Sequence, residues 1–67
     1  MRTYRVLVYG GQLRPPRIYP IVAEDDEAAT TIADGLLAKS RDGVGVETLD
    51  DKGGRIYVRG VVPRRPI

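Results

Sequence analysis

The sequence has no cysteine, histidine, phenylalanine or tryptophan, and Ser40 is its single serine. Without cysteine there is neither a disulfide nor a thiolate nucleophile. Without histidine as well, the usual zinc ligands and the commonest acid–base side chain are gone. Ser40 has no partner base of the familiar kind, so nucleophilic catalysis is not expected. Apolar runs are short: none is long enough for a signal peptide or a membrane span. Cytoplasm is therefore the expected compartment, with no membrane partner. Lysine is scarce too, with nine arginines standing against Lys39 and Lys52.

Sixty-seven residues leave room for one core, and a fold of this size buries only roughly 60% of its unfolded-chain surface. Disulfides and zinc are excluded, so close packing or a partner subunit remains as the means of stabilisation.

The net charge of +2 conceals a strong segregation. Residues 1–23 carry Arg2, Arg5, Arg14 and Arg17 and no acid. Residues 24–51 hold all nine acids against only Lys39 and Arg41. Residues 52–67 return to base with Lys52, Arg55, Arg59, Arg64 and Arg65. Basic ends flank an acidic middle.

"TYRVLVY", from Thr3 to Tyr9, is β-branched and aromatic and stops at Gly10-Gly11, which predicts a strand. "IYPIVA", from Ile18 to Ala23, predicts a second. Pro20 cannot donate to a ladder, so this strand belongs at a sheet edge or carries a bulge. "EDDEAATTIADGLLAKS" predicts a helix, with Ala28, Ala29, Ile32, Ala33, Leu36 and Leu37 on one face. Asp25 suits its N-cap, Asp26 and Glu27 its positive end, and Lys39 and Arg41 its negative end. Gly43 suits a left-handed stop, and Gly35 suggests a strand backbone passing close by. "VGVETL" and "RIYVRGVV" predict a hairpin, joined by "DDKGG" with glycines for positive φ.

The expected fold is α+β, a ββαββ chain over residues 1–62 with one helix on one face of a four-stranded, mainly antiparallel sheet. The favoured strand order is 2-1-3-4, and a mixed sheet pairing the second and third strands is the alternative. "PRRPI", residues 63–67, is expected to be a loose basic tail. The strand, "VAEDDEAATTIADGLL" helix and hairpin resemble small uncharacterised bacterial proteins of the same ββαββ order. That resemblance implies the fold and transfers no site residue.

Alternation along the strands sorts the side chains into two faces. The aliphatic set Val6, Val8, Val46, Ile56 and Val58 is expected under Ala29, Ile32, Ala33 and Leu36. Strand 2 faces inward with either Ile21 and Ala23 or Ile18 and Val22. The other face is expected to show Leu7, Tyr9, Tyr57 and Val61 among Arg5, Arg55 and Arg59, with Tyr19 a further candidate.

Three functional readings follow. A half-apolar sheet face set with tyrosine and arginine suits a non-enzymatic homodimerisation or protein-interaction module. The alternative is single-stranded nucleic-acid binding, with bases stacked on Tyr9 and Tyr57 and phosphates held by Arg5, Arg55, Arg59, Arg64 and Arg65. A metal-dependent enzyme is not expected. "EDDE" (Glu24 to Glu27) is explained by helix capping and Asp50-Asp51 by a turn, and no cofactor or metal is assigned.

Overall fold

A computed structural model describes residues 1–11 and 15–62. The elements run β1 (Arg2–Gly10), β2 (Arg17–Ala23), α1 (Asp26–Lys39), β3 (Gly43–Leu49) and β4 (Arg55–Gly60). All three strand pairings are antiparallel and the sheet order is β2-β1-β3-β4. This is the expected α+β, ββαββ architecture, and the mixed sheet does not form. Pro20 lies on β2, an edge strand, where a missing N–H leaves no inner ladder incomplete.

Helix α1 starts where the acids place it. The Asp25 carboxylate accepts the Ala28 N–H at 2.8 Å, and Asp26 and Glu27 fill the first turn against the positive end of the helix dipole. The other end departs from expectation. Ser40 is the C-cap, its N–H donating to the Leu37 carbonyl at 3.1 Å. Gly43 already belongs to β3, and its Cβ position lies 2.8 Å from the Ser40 side chain. It is a close-approach glycine, not a left-handed stop. Gly35 has nothing within 4 Å of its Cβ position, so no strand passes close to it.

The helix rests on its smallest side chains. Ala29 and Ala33 are fully buried, whereas Ile32 is half open and Leu36 is only partly covered. Beneath them lie two linked clusters. Val6, Val8, Ala33 and Val46 form one, flanked by Tyr19, Ile21, Leu36, Leu37 and Tyr57. Tyr4, Ala23 and Ala29 form the other, flanked by Ile21, Ala28 and Ile56. Of the two possibilities for β2, the Ile21 and Ala23 set faces the helix, and Tyr19 goes with it.

The last strand overturns simple alternation. Thr48 pairs with Tyr57, yet Leu49 pairs with Arg55, so Ile56 is an extra residue opposite a single step of β3. Such a bulge changes the facing of everything beyond it. Ile56 still reaches the helix-side core, but Tyr57 and Arg59 now turn to the helix and Val58 turns away from it.

Candidate functional site

The register assembles the face away from the helix in rows across the sheet. Ile18, Leu7, Glu47 and Val58 make one row; Pro20, Arg5, Leu49 and Arg55 make the next. Val22 extends this outer face along β2, and Tyr9 lies beside Gly45 at the other end. Its middle and its margins differ in exposure. Leu7, Glu47 and Leu49 are 8%, 2% and 7% exposed, whereas Ile18, Val22 and Val58 are 59%, 56% and 40% exposed. A closed floor is bordered by open β-branched side chains.

Glu47 is the buried charge of that floor. The Tyr9 hydroxyl donates to its Oε1 at 3.0 Å, and an Arg55 guanidinium nitrogen stands 3.5 Å from its Oε2. An ionised carboxylate taken out of water needs such partners, because burial without them costs several kcal/mol. Tyr9 is thereby oriented along the sheet, its hydroxyl turned to a neighbouring strand.

The structure divides the residues named from sequence. Arg5, Leu7, Tyr9 and Arg55 share the outer face as expected. Tyr57 and Arg59 do not join them. The Tyr57 hydroxyl donates to Asp34 Oδ1 on α1 at 2.6 Å, and Arg59 reaches the same oxygen at 3.3 Å. The hydrogen bond from Tyr57, followed by the contact with Arg59, holds the Asp34 carboxyl below its ordinary range, while that same bond and partial burial raise the Tyr57 hydroxyl above its own. These two residues tie β4 to the helix. Arg64 and Arg65 lie outside the described residues. Val61 is exposed and follows β4.

A second tie of the same chemistry holds β1 to the start of α1. The Tyr4 hydroxyl donates to Asp26 Oδ1 at 2.8 Å, with Arg2 3.9 Å from that oxygen. Burial, then the Asp26 bond, raises the Tyr4 hydroxyl above its usual value. Asp50 serves its turn: its Oδ1 accepts the Lys52 and Gly54 N–H groups at 2.9 and 2.7 Å. Among the described residues no helix is long and apolar enough to cross a membrane.

The residues missed from sequence are Ile18, Val22 and Val58, together with Glu47. Ile18 and Val22 were one of two open choices for β2, and Pro20 between them masked the alternation. Glu47 alternates with Val46 along β3, which fits the outer face, but nothing in a single acidic residue signals its burial. Compared with protein-family models, curated proteins and solved structures, the chain matches none, so its role is read from the surface just described.

Proposed function

We infer that the chain is a small non-enzymatic interaction module that pairs with a second copy of itself through the outer sheet face. The observation that carries this is the set of open β-branched side chains, Ile18, Val22 and Val58, on a sheet whose one helix covers only the other side. Helix and sheet make a slab only 15 Å across its thinnest axis, and a second sheet packed about 10 Å away is the usual cover for such a face. Each Å² of apolar surface so removed from water contributes about 25 cal/mol.

A second copy suits the face because the rows complement themselves. A two-fold axis parallel to the strands, between β1 and β3, lays β2 of one copy over β4 of the other. Ile18 then meets Val58 twice, as an isologous contact requires. In the neighbouring row Arg55 falls over Pro20 and Arg5 over Leu49, so no cation faces a cation. The carboxylates Asp25, Asp26, Asp34, Glu47 and Asp50 are each engaged in a cap, a tie or a turn, which supports a non-enzymatic role.

Single-stranded nucleic-acid binding is the weaker reading. Its two stacking residues sit on opposite sides of the sheet, and Arg59 is engaged by Asp34. Arg5, Tyr9 and Arg55 alone offer one ring where such binders use several.

The test is the melting temperature across a range of protein concentrations, for the wild type and for Val22→Glu. Self-association makes the wild-type value rise with concentration, and the exposed glutamate removes that dependence without unfolding the monomer. A wild-type melting temperature independent of concentration rejects the reading.

A further inference from the structure

In the two-fold pair the outer faces are consumed and the helices point away from each other. The edges β2 and β4 are then what remains for a further copy. An edge takes another strand where its outward N–H and C=O groups keep the two-residue step of a ladder. Hydrogen bonds at both ends of the β3–β4 hairpin fix which groups of β4 point outward. The Asp50 N–H donates to the Gly54 carbonyl at 2.8 Å, and the Val61 N–H to the Val44 carbonyl at 2.9 Å. Bonded and non-bonded pairs alternate along an antiparallel ladder. Counted inward from these two bonds along the register, the outward residues of β4 are Arg55, Val58 and Gly60. The extra residue at Ile56 breaks the two-residue step between Arg55 and Val58, and Gly60, at φ +78°, turns the chain away. Val58 alone is left on regular strand backbone.

The other edge is blocked by different means. Pro20 is the middle residue of β2 and is exposed. A proline in a sheet keeps its nitrogen on the solvent side, so the outward row is Ile18, Pro20 and Val22, and its central member has no N–H to give. A strand laid along that row would bury an acceptor with no donor, which costs more than a made hydrogen bond contributes. We infer that self-association stops at two copies, because each edge carries its own block to strand addition: Pro20 on β2, and the Ile56 bulge with Gly60 on β4. The stop at two rests on the self-association reading; the closure of the edges does not. The partner that fits this module therefore presents a second apolar sheet face and not an extended strand. Face-to-face pairing is isologous and ends with two copies, whereas an open edge on each copy would carry the pairs on into a filament. The two blocks are also independent. Restoring a donor at residue 20 opens β2 to the β2 of another chain and leaves β4 shut.

The test is sedimentation velocity of Pro20→Thr beside the wild type, from about 10 µM to about 1 mM. Threonine restores the donor on β2 and suits a strand; Pro20→Ala restores it with the smallest side chain and should act alike. The wild type is expected to level off at twice 7.4 kDa. Pro20→Thr is expected to pass that mass, since each pair then offers two open β2 edges. Val58→Glu blocks the face, so Pro20→Thr with Val58→Glu should level off at twice the monomer mass, joined through β2 alone. A wild type that passes twice its monomer mass overturns the stop at two. Pro20→Thr and Pro20→Ala chains that associate no further than the wild type overturn the closure of the β2 edge by proline. A wild type that stays monomeric while Pro20→Thr associates supports the closed edge and rejects the self-association reading instead.

Discussion

Thr48 is the sharpest test of the packing. It is fully buried on the helix side, between Val6 of β1 and Tyr57 of β4, and its Oγ1 has no hydrogen-bond partner among the described residues. A buried hydroxyl left unpaired costs about 1–3 kcal/mol. Valine offers a methyl of similar size in its place and suits a strand equally well. Thr48→Val should therefore stabilise the domain by about 1–3 kcal/mol. In a domain of this length each kcal/mol moves the melting temperature by about 4–8 °C, so a rise of at least about 4 °C is expected. With a urea slope near 1 kcal/mol/M, the midpoint should rise by about 1 M or more. Thr48→Ser keeps the hydroxyl and loses a buried methyl, worth about 0.8 kcal/mol by transfer alone, and should shift both midpoints the other way. Thermal and urea melts at low protein concentration read both variants. A Thr48→Val midpoint at or below that of the wild type refutes the reasoning, because it means that the hydroxyl is satisfied where it sits. Nothing in the structure explains why threonine is used there.

The bulge at Ile56 predicts that Ile56→Ala destabilises the monomer by about 1–3 kcal/mol, the range for a partly buried aliphatic side chain, while Val58→Ala stays within about 0.5 kcal/mol. Equal losses in urea melts of the two variants would restore simple alternation along β4. Asp34, with its pKa lowered, contributes stability that is present above its unfolded pKa and lost as pH falls through the lower folded value. Tyr57, with its pKa raised, contributes stability that is present below about 10 and lost as pH rises through its folded value. Tyr57→Phe should flatten both limbs of a urea-midpoint profile against pH, and an unchanged profile would break the proposed tie to the helix. A short labelled single-stranded oligonucleotide should show no saturable rise in fluorescence anisotropy at physiological salt. Binding weakened by about 1–3 kcal/mol in Tyr9→Ala, with a salt slope reduced in Arg64→Ser with Arg65→Ser, would favour the nucleic-acid reading over self-association.

The parts legible in sequence were those governed by short-range chemistry. The strand runs, the acidic helix start, the glycine-bearing turn at Gly53 and the edge position or bulge that Pro20 requires all follow from local rules, and with four strands they leave few topologies. The β1 faces were legible because Val6 and Val8 alternate with Leu7 and Tyr9 without interruption. The β4 faces were not. "RIYVRG" alternates equally well in either phase, and the extra residue at Ile56 is chosen by tertiary demands: Ile56 fills space beside Tyr4 and Ala29, and Tyr57 finds Asp34. No single-residue propensity announces that choice. The same flip removed Tyr57 and Arg59 from the candidate surface and put Val58 there, shifting its character from aromatic and basic towards aliphatic. The burial of Glu47 was equally hidden, since its partners Tyr9 and Arg55 come from different strands.

Sedimentation equilibrium of the 67-residue chain, from about 10 µM to about 1 mM, tests the outer-face interface most directly. Self-association predicts a weight-average mass that climbs from 7.4 kDa towards twice that value as concentration rises, and that stays at the monomer value throughout in Val22→Glu. A wild-type chain that remains at the monomer mass across the whole range would contradict it, as would a Val22→Glu chain that still dimerises.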